Sequence, residues 1–347
     1  MRAGKLSLGE LDALVVTNLV IVRYLTGYTG SNGVAVVGPD TRLFFTDFRY
    51  VTQAGEQVSG FEVAKGERDL LGDVAKAVSG RVGFEDATLS VRKLERLRSL
   101  AGERAELVPA GDRVEELRRV KEPGEVDAVR GAAALADEAL QSVIERGLAG
   151  RTEHEVAVEL EHAIRLLGAE EVSFPPIVAS GAHGALPHAE PRPEPIPRDV
   201  LVTIDWGARV DGYCSDCTRT FATGDSVDDE ALAVYELVRS VQERSLGEVR
   251  PGASGKDVDA VGRAEIEEAG HGDHYGHGLG HGVGLEVHEG PTLSPRSKDT
   301  LEAGNVVTVE PGVYVPGRFG VRIEDLVVVT SDGCEVLSSL PKALTVV

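Results

Sequence analysis

The sequence has only three cysteines, Cys214, Cys217 and Cys334, in 347 residues. That excludes a disulfide framework, and an odd number of thiols fits a reducing compartment. Positive charge is also scarce: 36 Lys and Arg face 57 Asp and Glu, for a formal net charge of −21. Nucleic acid and anionic membrane surfaces both call for a net positive face, so neither is an expected partner. Long apolar runs are missing as well. The most apolar early stretch, Leu11 to Val22, is interrupted by Thr17 and Asn18, and nothing approaches the ~18 residues of a membrane span. The opening MRAGKLSLGELDALVV has neither the apolar stretch nor the small-residue cleavage site of a signal peptide. A soluble, cytoplasmic protein is therefore expected. Apolar residues at 42% and charged residues at 27% are ordinary for a globular chain and exclude wholesale disorder. At roughly 150 residues per domain, the length suggests two domains.

The first 115 residues read as a small α/β unit. ALVVT (13–17), GVAVV (33–37) and RLFFT (42–46) have strand composition, and Gly38-Pro39-Asp40-Thr41 joins the last two as a turn. Residues 67–79 and 91–101 read as helices, with the strand RVGFE (81–85) between them. The charged stretch 112–125, with Pro123-Gly124, marks the boundary. Domains of 1–115 and 116–347 are expected. A long helix follows from Val126 to Ile144, and Thr152-Glu-His-Glu155 is a capping box that opens another helix running to Gly168. A Pro-rich loop (186–198) then leads to the strand LVTID (201–205).

The second domain contains an internal repeat. Thr152-x-x-Glu155-Val156 recurs as Ser254-x-x-Asp257-Val258, and Ile164 and Gly168 recur as Ile266 and Gly270. Val-Thr-Ile-Asp205-Trp-Gly matches Val-Thr-Val-Glu310-Pro-Gly, and Gly212-x-x-x-Asp216 matches Gly320-x-x-x-Glu324. Each half reads as a helix and two strands, each strand ending in a carboxylate. Packed about a pseudo-twofold axis, the halves would gather four carboxylates.

Five of the nine histidines, His271, His274, His277, His281 and His288, fall within eighteen residues. Five glycines in positions 276–284 rule out a stable helix there and point to a strand or loop that something approaches closely. His277 and His281 would share a strand face, whereas His288 could join them only across a bend or bulge. The spacing is neither the HExxH zinc helix nor a nucleotide fingerprint. His154 and His162 read as surface histidines. Cys214-Ser-Asp-Cys217 lacks the second pair of a four-thiolate zinc site and reads as two buried thiols. Asp205, Asp216, Glu310 and Glu324 together carry −4, which two divalent cations would match. Without metal, four clustered acids could not all ionise. Two such cations sharing a water form a hydrolytic centre.

The motifs SFPPIVASG with Pro187-His188, DWGARVDGYCSDCTRTF (205–221), GHGLGHGVGLEVHE (276–289), TVEPGVY (308–314) and VRIED (321–325) occur in the order and spacing of a known family. The second domain resembles the pita-bread metallopeptidases, in the branch of creatinase, prolidase and aminopeptidase P. The first resembles the creatinase-type N-terminal domain. The implied fold class is α/β (α+β), a small N-terminal α/β domain followed by a pita-bread domain with a pseudo-twofold repeat.

The resemblance implies roles for single residues. Asp205 would chelate one metal, Asp216 and Glu324 would bridge both, and His281 and Glu310 would complete the second site. His188 and His288 would contact the scissile carbonyl or the tetrahedral intermediate, and Glu310 would also shuttle a proton to the leaving nitrogen. His277 and Arg322 would support ligands, Arg322 by pairing with a carboxylate. Thr218 would place a hydroxyl beside the metal acids, and Phe174 would wall an apolar substrate pocket. Oxygen-rich ligation with one His and no thiolate suits Mn²⁺ or Co²⁺, while raw affinity also admits Zn²⁺. The implied substrate is a small peptide with proline second, whose tertiary imide lacks the N–H that general peptidases grip. A homodimer is the family default.

One position departs from the pattern. Dipeptidases of the family clamp the proline carboxylate with an Arg shortly after His-Glu-x-Pro, and here that slot is Thr292. Arg296, Arg318 and, from a neighbouring subunit, Arg49 are candidates for the missing charge. The leading expectation is an Xaa-Pro dipeptidase, ahead of an aminopeptidase P acting on longer peptides. A creatinase-like amidinohydrolase lacks the full ligand set, and a non-catalytic peptide-binding module would be expected to lose His188 or His288.

Overall fold

A computed structural model describes residues 2–347. They form two compact units that divide between Leu117 and Arg118. The division falls inside a helix, α5 (Arg113–Arg119), two residues beyond the expected boundary. The charged stretch 112–125 contains that division. It contains α5 and the capped start of the next helix.

In the first unit, strands β1 (Ala13–Val16), β2 (Val34–Val37), β3 (Arg42–Thr46), β4 (Glu62–Lys65), β5 (Gly80–Phe84) and β6 (Ala105–Pro109) make one sheet, ordered β4-β3-β2-β1-β5-β6. β1–β2 and β2–β3 are antiparallel, and the other neighbours are parallel. Helices α1 (Leu19–Thr26), α2 (Val51–Gln57), α3 (Leu71–Ala77) and α4 (Val91–Ala101) connect them. Val15, Val36, Val82, Val74 and Leu97 pack in one buried cluster, so α3 and α4 are held by the apolar face they cover. The early apolar run divides for a local reason. Asn18 Oδ1 accepts from Val20 N at 2.9 Å and starts α1, while buried Glu85 accepts from the Thr17 and Asn18 amides at 2.6 and 3.0 Å.

In the second unit, α6 (Pro123–Ile144) opens on a capping box between Glu122 and Glu125 with Pro123 in its first turn. α7 (Glu153–Leu166) opens on the box of Thr152 and Glu155. Both helices pack on a sheet of β8 (Ile177–Ser180), β9 (Leu201–Trp206) and β12 (Cys217–Ala222), in the antiparallel order β12-β9-β8. Between β9 and β12, a short hairpin of β10 (Ala208–Val210) and β11 (Tyr213–Cys214) pairs with β7 (Glu171–Val172). The second half repeats the plan. Helices α8 (Asp229–Glu248) and α9 (Gly255–Glu268) accompany β13 (Gly280–Gly282), β14 (Glu289–Leu293), β15 (Val306–Val309), β18 (Asp325–Val329) and β19 (Cys334–Val336), ordered β14-β13-β15-β18-β19. A hairpin of β16 (Gly312–Val315) and β17 (Phe319–Arg322) lies between β15 and β18.

The repeat is visible in the backbone. α7 and α9 are both 14 residues long, and β9–β12 and β15–β18 are both antiparallel pairs. The acids sit differently from the expectation, however. Asp205 lies in β9 and Glu310 just after β15, but Asp216 and Glu324 immediately precede β12 and β18 instead of ending them. In an antiparallel pair, the end of one strand and the start of the next lie at the same edge, so all four acids can still meet. Among the described residues, no helix is long and apolar enough to cross a membrane.

Candidate metal centre

Antiparallel pairing of β9 with β12 sets Asp205 opposite Thr218. The Glu324 amide bonds the Thr218 carbonyl at 3.0 Å, and Thr218 Oγ1 donates to Glu324 Oε2 at 2.6 Å. Thr218 thus ties the acid edges of the two halves together. His281 arrives on β13, where a Cβ at Gly280 would collide with the Thr308 carbonyl. The glycines serve this close approach of backbone to backbone. A register shift between His281 and Gly282 and the bends that follow turn the chain back, and the rings of His281 and His288 end 4.4 Å apart. His277 precedes β13 and is not on the strand.

These residues line a cavity of about 340 Å³. Its polar wall holds Asp205, Asp216, Glu310, Glu324, His188, His277, His281, His288 and Arg322, and its apolar wall holds Phe174, Ile177, Pro187 and Val287. His281 Nε2 is 3.6 Å from Asp216 Oδ2 and 3.3 Å from Glu310 Oε1. One ligand atom each from Asp216, His281 and Glu324 lie within 4.8 Å of one another. Arg322 donates to Asp205 Oδ2 at 2.6 Å, Thr218 Oγ1 at 3.0 Å, the Tyr314 hydroxyl at 3.0 Å and the Pro187 carbonyl at 3.2 Å. His277 Nε2 is 2.9 Å from the same Tyr314 hydroxyl.

Burial, followed by the charges of neighbouring acids, pushes the carboxyls of Asp216 and Glu324 well above the ordinary range. Glu310 is raised by burial too, against the opposing pull of His277 and Arg322. Burial holds His277, His281 and His288 below the ordinary imidazole value, so all three favour the neutral form that can ligate or donate. The acids therefore crowd more negative charge than one guanidinium can balance. Asp205 Oδ1 is buried with no hydrogen-bond partner. An orphaned carboxylate oxygen beside three carboxyls and a neutral imidazole is a donor set that fits divalent cations.

The remaining residues singled out from the sequence have these surroundings. Arg49, in the first unit, has its fork taken up by Asp47, with Nε at 2.9 Å and Nη2 at 2.8 Å. Arg296 is exposed and does not line the cavity. Arg318 pairs with Asp228 and Glu230. Thr292 Oγ1 bonds Asp299 at 3.0 Å and Ser297 at 3.1 Å. Cys214, Cys217 and Cys334 are free, the first two buried. Tyr314 was not singled out from the sequence. It lies four residues after Glu310, within the motif TVEPGVY.

The matching family models agree with this architecture. Residues 127–331 match metallopeptidase family M24, and residues 4–120 match the creatinase/prolidase N-terminal domain. The Xaa-Pro dipeptidase of Pyrococcus furiosus is 34% identical over 338 residues, covering 96% of this chain and 95% of that protein. Among solved structures, an Xaa-Pro dipeptidase from Bacillus anthracis superposes with a TM-score of 0.94 at 40% identity, covering 99% of this chain and 96% of that one. An X-Pro aminopeptidase from Thermotoga maritima superposes at 0.93 with 37% identity, covering both chains completely. With a family model over more than half its length and full-length relatives above 30% identity, the chain belongs to metallopeptidase family M24.

Proposed function

We propose that this chain is a cytoplasmic, homodimeric Xaa-Pro dipeptidase that works with two divalent cations, Mn²⁺ or Co²⁺ before Zn²⁺. The observation that carries the reading is the convergence of four carboxylates and His281 on one cavity that His188 and His288 also line. Asp205, Asp216, His281, Glu310 and Glu324 would hold the metals. Bound there, divalent cations supply Lewis acidity and a water acidic enough to act as nucleophile near neutral pH.

The chain's own residues do the rest. His188 and His288 donate hydrogen bonds to the carbonyl oxygen as negative charge develops on it. Glu310, whose Oε1 lies 3.3 Å from His281 Nε2, takes the nucleophile's proton and delivers it to the leaving proline nitrogen. Arg322 fixes Asp205 and, through the Pro187 carbonyl, the backbone next to His188. His277 and Tyr314 extend the same network. Phe174, Ile177 and Val287 offer the proline ring an apolar wall.

The dipeptidase reading is supported by the names of full-length relatives. Aminopeptidase activity on longer peptides is the second reading, favoured by one observation: Thr292 is engaged with Asp299 and stands where a carboxylate-clamping Arg would be. Cleavage of Met-Pro, Met-Pro-Ala and Met-Ala with defined metals separates them. Dipeptide preference supports the first reading, tripeptide preference the second, and failure on both proline peptides rejects the Xaa-Pro assignment. Sedimentation checks the dimer.

A further inference from the structure

The segment that carries His188 has little regular structure to hold it. It leaves β8 at Ser180, makes a short 3-10 turn over Gly181–Ala185 and continues through a proline-rich stretch. Such a segment depends on side-chain anchors for its shape. One carboxylate supplies them at both ends. Glu153 is the first residue of α7, and its side chain is completely buried. Its Oε1 accepts from Ser180 N at 2.8 Å and Ser180 Oγ at 2.7 Å. Its Oε2 lies 2.8 Å from His183 Nδ1 and accepts from Arg192 N at 3.0 Å and Arg192 Nε at 3.3 Å. His188 sits between these tied points and reaches the cavity, which Glu153 does not line.

An acid in the first turn of a helix needs no special explanation when it faces solvent, because it complements the helix dipole. Glu153 is different. It is sealed from water, and its partners lie far along the chain. Burial alone would push its carboxyl up, yet hydrogen bonds from Arg192 and Ser180 bring it below the ordinary value. A buried carboxylate is tolerated when its lone pairs are satisfied, and here three residues converge to satisfy them.

We infer that Glu153 is a positioning residue for His188: one buried carboxylate, reached by Ser180, His183 and Arg192, sets where the His188 imidazole meets the substrate carbonyl. This rests on the reading of His188 as a catalytic donor. Glu153→Gln keeps the shape and removes the charge, and His183→Ala removes one tie. Each should lower kcat on an Xaa-Pro dipeptide about 10–100-fold, the scale of losing an outer support of a site. KM should stay within about twofold, and metal content should equal that of the parent.

The deciding measurement is a double-variant cycle with metal analysis and melting on every protein. If Glu153 acts through His188, Glu153→Gln combined with His188→Ala is no slower than His188→Ala alone. His183→Ala with His188→Ala runs the same cycle should Glu153→Gln fail to fold. Losses that multiply in the double variants, loss of metal in the single ones, or full turnover in both Glu153→Gln and His183→Ala would each overturn the proposal. A fully active His188→Ala would overturn the reading of His188 and the proposal with it. Multiplying losses on top of an impaired His188→Ala would remove the proposal and leave that reading intact.

Discussion

Asp205 and Glu310 hold matching places in the two halves of the second unit, each closing the first strand of an antiparallel pair, but their neighbours differ. Asp205 is paired with the Arg322 guanidinium at 2.6 Å. Glu310 has no such ion pair among the described residues. Its nearest polar partners are His281 Nε2 at 3.3 Å and Thr308 Oγ1 at 3.1 Å. The guanidinium holds the Asp205 carboxyl in place. Glu310, set beside an imidazole and a hydroxyl, is the acid to which the proposed function gives the proton transfer. A duplicated framework thus yields matching acids in unlike surroundings. The second acids, Asp216 and Glu324, stay more alike, both buried and both raised by the same crowding.

Substitutions can break this comparison at several depths. The largest effect is expected for Asp216→Ala, which should remove metal and reduce turnover to background, measured by elemental analysis beside kinetics. Next, Glu310→Gln should lose about 10²–10⁴-fold in kcat, the range for a positioned acid–base group, and stay impaired at saturating metal. Asp205→Asn should instead weaken metal binding, with much of the rate recovered as metal is added. Equal recovery of both variants would erase the distinction between the two acids. His288→Ala should retain metal and lose about 10²–10³-fold in rate, as for one removed oxyanion donor.

The smallest effect concerns the caps of the two repeated helices. Thr152 Oγ1 accepts from Glu155 N at 3.0 Å, and Glu155 answers at the Thr152 amide at 2.7 Å. Ser254, in the matching place, makes no side-chain capping bond. Thr152→Ala should therefore lower the melting temperature by about 2–4 °C, and Ser254→Ala should leave it nearly unchanged.

Much of this was legible in the sequence for identifiable reasons. The helices after Thr152 and Ser254 are marked by polar residues at their starts and by Gly168 and Gly270 at their ends, both of which adopt positive φ. The four acids could be paired because they recur with the strands that carry them. The bend needed to bring His288 to His281 followed from their spacing and is seen as a shifted register after His281. Other features were hidden. α1 opens with Leu19-Val-Ile-Val22, an apolar, largely β-branched run close behind a strand, and only Thr17 and Asn18 separate the two. The stretch 112–125 was read as a boundary without its helices, α5 and the start of α6, because charge and Pro-Gly mark helix starts as well as boundaries. Glu153 read as part of an ordinary capping box, since its partners at 180, 183 and 192 are set by a loop path that no local pattern encodes.

The most direct measurement is a metal titration of fully chelated protein, following bound metal and Met-Pro hydrolysis together. Four acids and one imidazole converging on a single cavity predict no hydrolysis in the metal-free state. They also predict recovery with Mn²⁺ or Co²⁺ that reaches its plateau at two ions per chain. Undiminished hydrolysis in protein verified to be free of metal would contradict the assignment of these residues as a metal centre.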